Sequence, residues 1–183
     1  HIMRRRQRQM CIRDRGGELW DYLMTVGEPM GLKPGHTSSI RRIEGAMLSY
    51  HADMTLKNNP FELGMDRLVD LDMDADFVSK AALKRIKEEG ISQLQVGLEF
   101  DGDPLEGSND ELWPISIDGD VVGRVTSAIY SPRLEKNIAL ALIAIDHSAI
   151  GTRATIHTEE GERQCEVVPK PFHDPKKAIA STG

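Results

Sequence analysis

Five polar residues that could form a ligand site lie close together in the first third of the sequence: Arg41, Arg42, Glu44, Tyr50 and His51. An arginine at the border of an apolar helix face can donate two parallel hydrogen bonds to a carboxylate, so this segment could hold an anionic ligand. A helix surface with local ion pairs accounts for the same residues. From the residues alone, that second interpretation is favoured, because exposed ion pairs are common and contribute little.

Other familiar catalytic and ligand-binding patterns are missing from the sequence. The six histidines show no HExxH, HxH or similar spacing, so we predict no metal site. There is no GxSxG, GxGxxG or GxxxxGK[ST] pattern, and Cys165 has no local base, so neither a catalytic nucleophile nor a phosphate loop is predicted. The acidic run from Asp70 begins like an EF-hand loop. Ala75 and Ala81 occupy the positions that need glycine and glutamate, which favours a solvated acidic turn.

The segment that carries Arg42 is expected to be helical. One of the residues 37–39 can cap its start, because serine and threonine hydroxyls accept a hydrogen bond from the first helical turn. Arg41 and Glu44 are expected on the side opposite the apolar stripe, with Arg42 at its border. The stripe itself is expected to consist of Ile40, Ile43, Met47 and Leu48.

Two more helices are predicted, one on each side of this segment. The first covers residues 18–26 and ends at Gly27, since glycine and a following proline stop helices. The second runs from Lys80 to Glu89, with Ser79 as its cap and Gly90 as its stop.

After Gly90 the pattern changes to about six short strands with no helix between them. Residues 115–117 and 121–125 predict a hairpin around the turn at 118–120. Residues 138–145 are apolar on both faces, so this strand should be covered on both sides. Such a run of strands predicts a small barrel or sandwich, and with the helices before it the chain is α+β.

Charge and cysteine usage limit the classes of partner and compartment. Residues 1–15 hold six arginines and one acid, and we interpret them as a non-native leader, with a basic arm for an acidic surface as the alternative. The remaining residues carry 17 basic and 28 acidic side chains, which argues against nucleic acid as the main partner. Two cysteines without CxxC spacing favour a reducing, cytoplasmic location. No apolar run approaches the roughly 20 residues of a membrane helix.

Three stretches resemble the glycine-cleavage T-protein (aminomethyltransferase) family. They are RIEG with LSY within residues 42–50, VGRVTSAIYSPRLEKNIALA at residues 122–141, and VVPKPF at residues 167–172. The resemblance extends from residue 16 to about residue 176 and corresponds to roughly the C-terminal half of a full family member. Within the family, the closest similarity is to the dimethylsulfoniopropionate demethylase branch, through stretches such as DMTLKNNPFELGMDRLVDLD at residues 53–72.

The resemblance implies a tetrahydrofolate-binding enzyme that transfers one-carbon units, built as a three-part ring with a C-terminal β-barrel. In the demethylase branch, a methyl group passes from a sulfonium to N5 of tetrahydrofolate and leaves methylmercaptopropionate. This displacement needs positioning and charge placement more than a protein nucleophile or a metal, so no catalytic residue is predicted. Arg42 matches the family arginine that helps to hold folate. Tyr50 and Glu44 are further predicted cofactor-binding residues.

The sequence also departs from the family. His51 stands where the family often has glycine, and Lys176 and Lys177 stand where T-proteins can carry a folate-contacting aromatic residue. The family's N-terminal half, with the acidic residue near folate N5 and the carboxylate that meets the pterin, is not in this sequence. The polypeptide alone is therefore predicted to be inactive.

The predicted division is a leader at 1–15, part of an α/β folate-binding domain at 16–94, a β-barrel domain at 95–175 and a tail at 176–183. The expected ligands are tetrahydrofolate and a small-molecule substrate, with a homodimer left open. One alternative is the aminomethyltransferase of glycine cleavage, whose substrate arrives on a lipoyl carrier protein. Another is a non-catalytic folate-binding protein on the same scaffold.

Overall fold

The computed structural model describes residues 15–34, 38–176 and 178. The chain forms two compact units, His1–Thr37 and Ser38–Gly183. Within the described residues, no helix is long and apolar enough to cross a membrane. The interpretation of residues 1–14 as a leader falls outside this described part of the chain.

The first unit contains helix α1, Gly16–Gly27. A 3-10 turn, Glu28–Met30, follows and ends at Gly31, whose φ of 84° is the left-handed conformation that glycine adopts without strain. The predicted helix and its stop at Gly27 are therefore confirmed. Its apolar side chains are exposed: Leu19, Trp20, Tyr22, Leu23 and Val26.

The second unit begins with a short helix, α2, Ser39–Glu44. The Ser38 hydroxyl accepts a hydrogen bond from Arg41 N, which confirms a cap within residues 37–39. The helix ends at Glu44, so the predicted continuation toward Leu48 is wrong. The prediction that Glu44 faces away from the apolar side is also wrong, because this residue is only 4% exposed and its side chain turns toward the barrel.

A long connection from residue 45 to residue 79 consists of turns and one short 3-10 helix, Asp66–Leu68. The Asn59 side chain accepts hydrogen bonds from Phe61 N and Glu62 N, which fixes the turn at the predicted break. In the acidic turn, the Lys80 ammonium donates to the carbonyl oxygens of Met73 and Ala75. A lysine cation therefore meets the backbone oxygens in this turn.

Helix α3, Lys80–Glu89, has the predicted bounds. Ala82, Leu83 and Ile86, which were predicted to point inward, are partly buried, and so is Lys80 at the start of the helix. Ser79 precedes the helix, as predicted for the cap position, with a φ of 76°. Its hydroxyl makes no hydrogen bond to the first turn, so the predicted side-chain cap is wrong.

Six antiparallel strands close into a barrel in the order β1-β4-β3-β2-β5-β6. The strands are β1 (Gln93–Phe100), β2 (Trp113–Ile117), β3 (Asp120–Ser131), β4 (Lys136–Ala144), β5 (Arg153–Thr158) and β6 (Gly161–Val168). The predicted α+β class, with a six-stranded barrel after the helices, is confirmed. The predicted hairpin is β2–β3, whose turn residues Asp118 and Gly119 both have positive φ, as a tight two-residue hairpin requires.

Strand β4 contributes side chains to two apolar clusters, one on each of its faces. Its residues Ala139, Ala141 and Ile143 face the barrel interior, where they join the larger core cluster. The alternate residues Ile138 and Leu140 face outward and form a second cluster with Ile43 of α2 and with Ile129. Because successive side chains of a strand point to opposite faces, a strand covered on both faces must be apolar throughout. The prediction for this strand is confirmed.

Candidate ligand site

Helix α2 and the loop after it are fastened to the barrel through Asp53, which is 1% exposed. The Arg42 guanidinium donates to Asp53 Oδ2 at 2.5 Å, and Ser49 N donates to the same oxygen at 2.8 Å. A second guanidinium nitrogen of Arg42 donates to Ser127 Oγ at 2.9 Å. The Arg42 side chain is 24% exposed. The guanidinium of Arg42 therefore interacts mainly with other side chains of the protein.

The other oxygen of Asp53 accepts hydrogen bonds from two consecutive hydroxyls of β3. Thr126 Oγ1 lies at 2.7 Å and Ser127 Oγ at 2.6 Å. In a regular strand, neighbouring side chains point to opposite faces. Here the register of β3 shifts between Val125 and Ser127, and this bulge allows both hydroxyls to reach one carboxylate.

The other two predicted cofactor-binding residues have different surroundings. Glu44 Oε1 accepts a hydrogen bond from Ser131 Oγ at 2.5 Å, and Glu44 Oε2 lies 3.8 Å from the Arg133 guanidinium. Tyr50 is 48% exposed and its ring lies 4.3 Å from that of His51, centroid to centroid. The structure therefore connects Arg42 and Glu44 to the barrel but leaves Tyr50 at the surface.

A cavity of about 630 Å³ lies beside this network. Its lining comes from residues within the segments 45–48, 63–68 and 170–174, and from Gln95 on β1. The last segment is held in place by its backbone, since Phe172 N and His173 N both donate to Glu44 O. Volumes of this size are usual for small-molecule sites.

Three polar side chains on the cavity wall distinguish it from a simple surface groove. The Gln95 side chain is buried, and neither of its amide atoms has a hydrogen-bond partner among the described residues. The same holds for Nε2 of His173. Lys170 Nζ donates to the Gln95 backbone carbonyl at 2.6 Å. Buried polar groups are normally hydrogen-bonded, so the buried, unpaired atoms of Gln95 and His173 beside this cavity are an exception.

The lysine in this cavity has an altered protonation equilibrium. Burial lowers the pKa of Lys170 to about 8, and the negative charge of Asp53 partly opposes this shift. In its ammonium form, Lys170 is suited to pairing with a carboxylate of a ligand in this partly apolar cavity.

Sequence reasoning missed Asp53, Gln95, Lys170 and His173 as members of this region. Asp53 and Lys170 lay inside stretches that carried the family resemblance, but nothing in those stretches indicated their contacts. Gln95 occupies a polar position in an alternating strand, which normally means a solvent-facing side chain. Among the described residues, no group of three or more possible metal ligands occurs.

Two segments of the chain match protein-family models. Residues 94–174 match the model of the glycine cleavage T-protein C-terminal barrel domain, and residues 10–73 match that of the GCVT N-terminal domain. The chain belongs to the glycine cleavage T-protein family. This confirms the family resemblance found in the sequence.

Family members of two kinds are similar to the chain. An aminomethyltransferase of Symbiobacterium thermophilum is 36% identical over 160 residues, which are 85% of this chain and 41% of that protein. A dimethylsulfoniopropionate demethylase of Ruegeria pomeroyi is 32% identical over 154 residues, which are 83% of this chain and 41% of that protein. The chain thus spans about two fifths of the length of these T-protein family relatives.

A solved structure shows the same fold. The glycine cleavage system aminomethyltransferase T from Bartonella henselae superimposes with a TM-score of 0.65 at 19% identity. The match covers 73% of this chain and 37% of the other. The T-protein barrel is therefore preserved in the second unit, although few residues are shared.

Proposed function

We propose that the chain contributes the barrel side of a tetrahydrofolate site in an enzyme that transfers one-carbon units. The observation that supports this most directly is the cavity that Lys170 lines together with Gln95 and His173, two residues with buried, unpaired polar atoms. Membership of a family of folate-dependent aminomethyltransferases supports the choice of ligand. Tetrahydrofolate has a glutamate tail with two carboxylates and a polar ring system, and both need hydrogen-bonding partners.

The residues of the cavity suit these groups. The Lys170 ammonium can pair with a carboxylate, because a charge-assisted hydrogen bond is strongest in a partly desolvated place. The Gln95 amide can both donate to and accept from the ligand. Apolar lining residues such as Leu48 and Leu63 exclude water around these contacts. Bound tetrahydrofolate would supply the nitrogen that accepts the one-carbon unit.

Arg42, Glu44 and Tyr50 stay predictions as folate contacts, with different geometric support. Tyr50 is exposed and could stack on a ligand ring. Arg42 and Glu44 are bonded to barrel residues, so in this proposal they act by holding the loop and the 170–174 segment that form the cavity walls. In this one-carbon transfer, no residue of the chain is assigned as an acid, base or nucleophile.

The donor we propose is dimethylsulfoniopropionate, whose methyl group would pass to tetrahydrofolate and leave methylmercaptopropionate. The stretch at residues 53–72 supports this choice through its similarity to the demethylase branch. The competing donor is the aminomethyl group carried on a lipoyl protein, which the names of several relatives favour. A cytoplasmic location and a small-molecule substrate belong to the same proposal.

Tetrahydrofolate binding tests the site directly. Titration of the 183-residue chain by calorimetry under anaerobic conditions should show binding to one site. Changing Lys170→Met should weaken the affinity about 10-fold to 100-fold, since hydrogen bonds to charged groups contribute roughly 1.5–3 kcal/mol. Lys84→Met, a change on the exposed face of α3, serves as the matched control and should leave the affinity unchanged.

An equal affinity for the chain and for Lys170→Met would overturn the assignment of this cavity. The donor is tested separately, by supplying dimethylsulfoniopropionate or an aminomethylated lipoyl carrier and measuring methylated or methylenated folate. The chain by itself is expected to bind without turnover. Binding without turnover of either donor by a version that includes the other family domains would favour the non-catalytic alternative.

A further inference from the structure

Lys170 has surroundings that are unusual for a lysine near a protein surface. Its ammonium nitrogen donates to a neutral carbonyl, that of Gln95, at 2.6 Å. No carboxylate forms an ion pair with it among the described residues. A buried ammonium without a paired anion is destabilised relative to the neutral amine, because burial removes water that solvates the charge.

The cavity gives small molecules access to this nitrogen. Lys170 lines a volume of about 630 Å³ together with apolar groups, among them Leu48, Leu63 and Pro171. The charged and titratable side chains facing the same space are Arg67, His173 and Asp174, with Asp53 acting on Lys170 from the network behind the loop. Of these groups, Asp53 favours the charged form of the amine and partly opposes the effect of burial.

Two further residues that line the cavity carry unpaired polar atoms. Nε2 of His173 and the side-chain amide of Gln95 are buried and have no hydrogen-bond partner among the described residues. The addition of an amine to a carbonyl requires an unprotonated nitrogen and access for the carbonyl compound. Within the part of the chain that the structure describes, Lys170 has no paired carboxylate to hold its charged form, and it lies on the cavity lining.

We propose that Lys170 is a reactive amine that captures small aldehydes in this cavity. The neutral nitrogen attacks the carbonyl carbon and forms a C–N bond, while the π electrons move to the oxygen, which takes a proton. The resulting carbinolamine loses water and becomes an imine. The reaction is reversible, and no oxidant or reductant is consumed.

Formaldehyde is the probe we would use, because it is the smallest aldehyde and is at the oxidation level of a methylene unit. The inference does not require that folate binds, since labelling is measured without folate. With sodium cyanoborohydride as the reductant, hydride reduces the imine and leaves a methylated lysine that peptide mass spectrometry locates. The exposure is short and formaldehyde is limiting, so that the methylation rates of different lysines in the same chain can be compared.

Lys170 should be methylated at pH 7.5 at least about 10-fold faster than Lys84 and Lys87, two exposed lysines of α3. Burial lowers the pKa of Lys170 to about 8, so at pH 7.5 its neutral fraction is roughly 200-fold larger than that of an ordinary lysine, which offsets its lower basicity. Its labelling rate should level off above pH 8, whereas the rates of Lys84 and Lys87 should still rise.

Unfolding the chain in urea is the matched control and should bring the rate of Lys170 to that of Lys84. Because the measurement resolves each lysine in the unchanged protein, it does not depend on whether a variant folds. A rate for Lys170 equal to or below that of Lys84 in the native chain would refute the proposal. So would a rate that keeps rising to pH 10.

Discussion

The Arg42 guanidinium and the Asp53 carboxylate form a 2.5 Å ion pair in which the carboxylate is fully buried. The two residues lie 11 positions apart in the chain, so their ion pair closes the loop between them. Asp53 accepts four hydrogen bonds in total, from Arg42, Ser49, Thr126 and Ser127. A buried charge is tolerated only when it is paired and hydrogen-bonded, and this one is.

The Asp53→Ala change should lower the free energy of unfolding by about 3–5 kcal/mol, because it removes the charged partner of a partly buried guanidinium and the acceptor of the buried Ser127 hydroxyl. Urea denaturation at pH 7, followed by circular dichroism, measures this. Asp72→Ala, in the exposed acidic turn, is the control and should change the value by less than about 0.5 kcal/mol. A loss below about 1 kcal/mol for Asp53→Ala would contradict the role given to this network.

The elements predicted well from sequence are those fixed by nearby residues. The β2–β3 hairpin follows from Asp118-Gly119, a pair that accepts positive φ at both positions. Helix α3 follows from a run of helix-forming residues that stops at Gly90. Both signals lie within a few residues of the structure they specify, so composition and spacing are enough to identify them.

The site could not be predicted in the same way, because its contacts join distant parts of the chain. Two of the hydrogen-bond donors to Asp53, Thr126 and Ser127, lie 73 and 74 positions later in the chain. Gln95 and Lys170, 75 positions apart, meet only after β1 has paired with β6. Glu44 was predicted to be exposed from its helical angle alone, and only the position of Ser131 shows why it is buried. Strand order and bulges decide such contacts, and neither is encoded locally.

The Glu44–Ser131 hydrogen bond should contribute more to the free energy of unfolding than the neighbouring ion pair between Glu44 and Arg133. Ser131→Ala should destabilise the chain by about 1.5–3 kcal/mol, since it removes a donor from a buried carboxylate. Arg133→Ala removes a partner that is 3.8 Å away with a side chain 55% exposed, and should cost less than about 1 kcal/mol. Thermal and urea unfolding of the two variants provide the comparison. Equal losses, or a larger loss for Arg133→Ala, would show that the ion pair matters more than the hydrogen bond.

Lys170 should make stability depend on pH in the alkaline range. Its pKa is lowered from 10.5 to about 8 by burial, so between these values the unfolded chain binds more protons than the folded one. Stability therefore rises with pH in this window, and the contribution of Lys170 is least favourable below pH 8. The difference in unfolding free energy between the chain and Lys170→Met should shift by up to about 3 kcal/mol between pH 7.5 and 10.5, in favour of the chain with lysine.

That pH series needs a control for the other titrating groups. Lys84→Met, on the exposed face of α3, should give a difference that stays level across the same range. A level difference for Lys170→Met as well would mean that Lys170 has an ordinary pKa in the folded state. The cavity would then be better hydrated than its lining indicates.

Cys165 should resist alkylation in the folded chain. Its thiol is 5% exposed, its sulfur donates to the Ala154 carbonyl, and burial raises its pKa to about 12. Thiolate is the reactive form, so at pH 8 only about one molecule in ten thousand would carry it, against about a quarter for an unperturbed thiol. In a Cys11→Ser variant, where Cys165 is the sole cysteine, iodoacetamide should react at least about 100-fold more slowly than in 8 M urea. Intact-mass measurements over time give both rates, and comparable rates in the two conditions would show that β6 opens readily enough to expose this thiol.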